Sequence, residues 1–181
     1  MIHLYDSSRL PASRWRNGGG ETREIVSYPP GLADFEWRIS IATIAADGDF
    51  SLFPGIDRII TLLSGEVALY RHGNLYHQLG LHQPFAFAGE DAISARLAAQ
   101  TSTDFNIMAR RDIYQPEAGI TTAPFSPVAT AAGVVYVLAG HWQHQQTLLA
   151  AGQGAWWENN AGTFIPASAN AQLLWGKLIP R

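Results

Sequence analysis

Ile59-Ile60-Thr61-Leu62-Leu63 is an apolar, β-branched run stopped by Ser64-Gly65-Glu66. It is echoed by Val134-Val135-Tyr136-Val137-Leu138, stopped by Ala139-Gly140-His141. Each run has the length of a buried strand and ends at a turn glycine. Further on, Leu81-His82-Gln83-Pro84-Phe85 is echoed by Ala151-Gly152-Gln153-Gly154-Ala155 at similar spacing. The two halves therefore read as copies of one β-unit stacked in a single chain.

The rest of the sequence agrees with an all-β reading. Its 17 Gly and 10 Pro cut the chain into short pieces, the pattern of a sandwich or barrel. Alternation marks strands at Glu21–Ser27 and Trp37–Thr43, and shorter candidates lie at Glu66–Arg71, Leu75–Leu79, Phe85–Phe87, Ile93–Leu97 and Asp104–Ala109. His72-Gly73-Asn74 is a hairpin signal. Beyond it, Val134–Leu138, Gln143–Leu149, Ala155–Glu158, Thr163–Ile165 and Gln172–Ile179 read as strands, and Pro116 to Pro127 reads as a connection. A helical turn is expected near Asp6–Leu10. Trp156 and Trp157 face opposite ways on a strand, which suits a contact between the units or in a homodimer.

The 181 residues are 47% hydrophobic and 15% charged, with a net charge of −3. A chain so neutral lacks the basic footprint that nucleic acid requires. No apolar run approaches the ~20 residues of a membrane helix, and Met1 to Arg16 has no secretory pattern, so a cytoplasmic protein is expected. Cysteine is absent, which excludes thiolate metal sites and thiol nucleophiles. The cations are 11 Arg and one Lys, Lys177, a bias towards planar, forked hydrogen bonding. From Ile113 onward the charged side chains are Glu117, Glu158, Lys177 and Arg181. The second unit thus reads as a structural partner rather than a second site.

Two stretches could carry chemistry. Trp15-Arg16-Asn17-Gly18-Gly19-Gly20 lacks the Gly-Lys-Ser/Thr of a phosphate loop. It is either a glycine bulge at a strand start or a loop that lets Trp15 and Asn17 line a pocket. The second runs from Asp47 to Arg58. Arg58 heads an apolar strand, where an unpaired cation costs several kcal/mol. It therefore needs an acid such as Glu24 or Glu36, or a bound anion. The six histidines do not converge, and no Gly-x-Ser-x-Gly elbow occurs.

The blocks Trp15–Glu24, Phe35–Ala42, Phe50-Ser51-x-Phe53-Pro54-Gly55-x-Asp57-Arg58 and Asp104-Phe105-Asn106-x-Met108 closely resemble the HutD/Ves family. The resemblance implies a bicupin: a unit at 1–112 carrying the pocket, and a smaller one at 113–181, fused in one body. Some relatives accompany histidine-utilisation enzymes and others are linked to stress response; no established enzymatic activity comes with the family. Metal-binding cupins carry a His pair and a Glu before a turn glycine. With Gly65 as that glycine, the Glu position falls on Arg58, and the His positions fall on Leu52 and Pro54 or on Ser51 and Phe53. A second-motif His would fall on Ala92. No metal and no cofactor is expected, since a guanidinium repels a cation. The expectation is a small anionic metabolite held by Arg58, with Trp15, Asn17, Trp37 and Phe53 as walls and Thr22 and Ser40 as polar partners. A metal-independent isomerase, lyase or hydrolase is the alternative.

Overall fold

The computed structural model describes residues 1–98, 100–128 and 131–181. Among these the helical content is one 3₁₀ turn, Ser7–Arg9, capped by the Asp6 side chain, which accepts from the Ser8 N–H. The remaining regular secondary structure is strand, in two units that each consist of a larger and a smaller sheet. They are sandwiches rather than closed barrels.

Residues 11–114 form one unit. Its six-stranded sheet runs Ala12–Arg14, Gly20–Tyr28, Trp37–Ile44, Ser102–Arg110, Ile56–Ser64, Phe85–Ala88. Its four-stranded sheet runs Gly48–Asp49, Ile93–Leu97, Val67–Arg71, Asn74–Gln78. Ile60 and Leu62 from the first sheet pack with Val67, Leu69 and Ile93 from the second. Alternation supplies this: inward residues of each strand recur every second position.

The other unit takes its five-stranded sheet in the order Ile2–Asp6, Gln153–Trp157, Ala132–Ala139, Gln172–Pro180, Tyr114–Thr121. Thr147–Ala150, His141–His144 and Phe164–Pro166 make the three-stranded sheet. Val135, Val137 and Leu173 pack there with Trp142, Leu149 and Phe164.

The repeat extends strand by strand. Ile56–Ser64 lies between Phe85–Ala88 and Ser102–Arg110; Ala132–Ala139 lies between Gln153–Trp157 and Gln172–Pro180 in the same way. Gly65 and Gly140 both sit at positive φ, 85° and 69°, which is why each run stops at a glycine.

Three expectations need correction. The division at 112/113 misplaces the first ten residues, which group with 115–181. Ile2–Asp6 pairs with Gln153–Trp157, and Tyr5 donates its hydroxyl proton to the Val135 carbonyl at 2.8 Å. A pairing across so much chain leaves no local signal. The stretch at Pro116 is strand, Tyr114–Thr121, on a sheet edge where a missing N–H is tolerated. Gln143–Leu149 is not one strand but a hairpin that turns at Gln145, φ 52°. Of the tryptophan pair, Trp157 is wholly buried, while Trp156 stacks on His3 at 3.9 Å.

Candidate functional site

One face of the six-stranded sheet is polar where a core would be apolar. Pairing places Arg38, Met108 and Arg58 in one row, Ser40, Asn106 and Ile60 in the next, and Ala42, Asp104 and Leu62 in the third. Thr22 extends the third row beside Ala42. Apart from Ile60 and Leu62, which belong to the apolar core, these residues floor a cavity of about 560 Å³. Its walls come from the segment around Asn17 and from the Asp49–Phe53 loop.

The segment at the three glycines folds as a tight turn. Trp15 N–H donates to the Gly20 carbonyl at 2.9 Å, and Gly18 N–H to the Trp15 carbonyl at 3.0 Å. Trp15 and Asn17 thereby reach the cavity wall. Trp15 Nε1 donates to Thr22 Oγ1 at 2.8 Å, which fixes the indole against the sheet.

Arg58 is 8% exposed. Its guanidinium lies 5.4 Å from the ring centres of Phe50 and Phe53 and 4.9 Å from that of Phe87, and its Nε has no hydrogen-bond partner. Neither expected acid serves it. Glu24 pairs with Arg38 at 3.1 Å, and Glu36 accepts from the Tyr114 hydroxyl at 3.3 Å. Asp57, its chain neighbour, pairs with Arg111 at 2.7 Å on the other face. Burial lowers the Arg58 pKa to about 10, opposed by Asp104 and assisted by Arg38; it stays a cation at neutral pH. Aromatic rings offset part of the cost of a buried charge but accept no hydrogen bond in its plane.

Asp104 is the residue that sequence reasoning missed. It is 1% exposed. Oδ1 accepts from Asn106 Nδ2 at 2.5 Å, and Oδ2 has no protein donor. Burial raises its pKa to about 7, against the Asn106 hydrogen bond and the charge of Arg58. The signal was present: Asp104, Asn106 and Met108 alternate with Phe105, Ile107 and Ala109 in a strand flanked by apolar ones, so two polar side chains share an inward face.

The structure brings Arg58, Trp15, Asn17, Thr22, Ser40 and Phe53 to one cavity. Trp37 does not belong with them. It is wholly buried and stacks on Tyr28 at 5.0 Å, because odd-numbered residues of its strand face away from Arg38, Ser40 and Ala42. Among the described residues no cluster of His, Asp and Glu could hold a metal ion. Nor is any helix of the described residues long and apolar enough to cross a membrane.

The fold and the cavity define the class: a two-unit, cupin-type protein with a polar cavity in the unit of residues 11–114. A cupin 2 conserved barrel domain protein from Leptotrichia buccalis shares the fold at a TM-score of 0.63, with 12% identity over 97% of this chain and 96% of its own. The chain belongs to the HutD family, whose model matches residues 7–175. It is 42% identical over 179 residues, 98% of each chain, to Protein Ves of Cronobacter sakazakii. The structure of HutD from Pseudomonas fluorescens SBW25 matches along all of both chains, with 28% identity and a TM-score of 0.87.

Proposed function

We propose that this protein binds a small carboxylate-bearing metabolite in the cavity and acts as a sensing or regulatory accessory, in histidine utilisation or stress response, in the cytoplasm. The observation that carries the reading is a buried guanidinium that, among the described residues, has no acid in ion-pair reach and faces a cavity of metabolite size. An incoming carboxylate meets a fixed cation with free donors in a shielded site, where charge-assisted bonds contribute roughly 1.5–3 kcal/mol each. Phe50, Phe53 and Trp15 offer apolar faces to the remainder of the ligand. HutD of Pseudomonas fluorescens was determined in a formate condition, and formate is the smallest carboxylate. Urocanate and a formylated glutamate are candidate ligands, since the family resemblance implies that some relatives accompany histidine-utilisation enzymes.

The test is thermal stabilisation of the purified protein by urocanate and N-formylglutamate, with Arg58→Met as the control. The wild type is expected to shift and the variant to show no shift while remaining folded. Equal shifts in both would remove Arg58 as the anchor.

The buried Asp104 carboxyl on the cavity floor favours a second reading, a metal-independent isomerase, lyase or hydrolase. Burial raises its pKa to about 7, the range that suits a general acid or base. Turnover of the same carboxylates, lost in Asp104→Asn, would establish it.

A further inference from the structure

Two opposite charges are buried on adjacent strands of the same sheet face, and both line the cavity. Yet no ion pair joins them: among the described residues Arg58 forms none within 4.0 Å, and Asp104 Oδ2 has no donor. Their coupling is through space. A carboxylate ligand that takes the guanidinium withdraws the positive charge that favours ionised Asp104. It also sets a second negative charge beside it in a poorly solvated place. Only one of the two acids can then remain ionised at low cost.

We propose that the cavity takes up its anion together with one proton, which lands on Asp104. The proposal rests on the anion-binding reading and deepens it. In the empty protein Arg58 partly supports the Asp104 carboxylate; in the filled protein the ligand has that support, and the Asp104 carboxyl is neutral. The proton comes from bulk solvent: at pH 8 the protonated buffer loses it, breaking an N–H bond as the Asp104 O–H bond forms. Arg58 stays charged in both states.

The other charged groups around Asp104 do not substitute for this acceptor. On the strand beyond its own, Arg38 is committed to Glu24 at 3.1 Å. Asn106, its hydrogen-bond partner, does not titrate. Arg14, Arg16 and Asp49 also line the cavity. Burial places the Asp104 carboxyl near 7, so at pH 8 the empty site is mostly ionised and has a proton to gain.

The experiment is calorimetric titration of the wild-type protein with formate, propionate and benzoate at pH 8. It is run in Tris and in HEPES, whose ionisation heats differ. The expected result is net proton uptake that approaches one per bound carboxylate. Uptake should vanish below about pH 5, where both states are protonated, and affinity should fall towards about tenfold per pH unit above 8. Asp104→Asn should bind with no uptake and no such slope. If that variant does not fold, the infrared difference spectrum of the wild type on benzoate binding serves instead, and it should gain a protonated carboxyl stretch. Arg58-dependent binding with equal heats in both buffers overturns the proton linkage and leaves the binding function standing. No saturable binding of any of the three, or undiminished binding by Arg58→Met, overturns the binding reading itself.

Discussion

At Arg58 the two copies of the β-unit part company. Counted back from the turn glycines Gly65 and Gly140, the counterpart of Arg58 is Gly133. The partner of Arg58 is Phe87 and that of Gly133 is Trp157. On the other neighbouring strand, Asp104 opposes Leu62 while Leu173 opposes Val137. Asn106 likewise corresponds to Trp175. In one copy a cation, an acid and an amide leave room for a cavity. In the other a Cβ on Gly133 would lie 2.6 Å from the Trp157 ring, and Trp157 and Leu173 are wholly buried. The same topology gives a site when its floor is polar and a core when tryptophan fills the space. Sandwich packing tolerates either, but only the filled copy gains the full stabilisation of buried apolar area.

The sharpest way to break this comparison is Trp157→Ala. It should cost about 3–5 kcal/mol in urea unfolding while carboxylate affinity at low temperature stays unchanged. A loss of affinity would mean that the second copy is not merely core.

Asp104 is next. Its acid pKa is raised in the fold from 3.8 to about 7, so the folded state holds the extra proton in that interval. Its contribution to stability is full below about pH 4 and is lost as pH rises to 7. Urea midpoints of wild type against Asp104→Asn, followed from pH 4 to 8, should diverge by on the order of 2–4 kcal/mol. Parallel curves would refute the raised value.

Thr22→Val removes the acceptor of Trp15 Nε1 and should cost about 1 kcal/mol in stability, with a severalfold weaker carboxylate affinity by calorimetry. An unchanged affinity would show that the indole needs no anchor. The smallest effect belongs to Arg111→Gln. Arg111 bridges Asp57 and Glu90 at 2.7 Å each, but its side chain is 39% exposed. Solvent screening should hold the loss to ~1 kcal/mol or less, with no change in binding.

Much of this was legible in the residues. The alternating runs located most strands, and Ile93–Leu97 was read to the residue. Arg58 could also be singled out, since a lone arginine in an apolar strand requires a partner. Trp37 is near the pocket in sequence only, because strand parity turns it to the opposite face. Asp104 was passed over because a carboxylate gains meaning only from what lies across the ladder.

Local chemistry by itself determined the all-β class, the internal repeat and the arginine at the head of an apolar strand. These follow from periodicity and residue type, which need no folded partner. The tertiary structure alone decided that Ile2–Asp6 joins the distant unit, that Glu24 and Glu36 serve other partners, and that Arg58 and Asp104 line one cavity without an ion pair between them. Those outcomes depend on register between strands far apart in the chain, and register is fixed by the packing of whole faces rather than by any single segment.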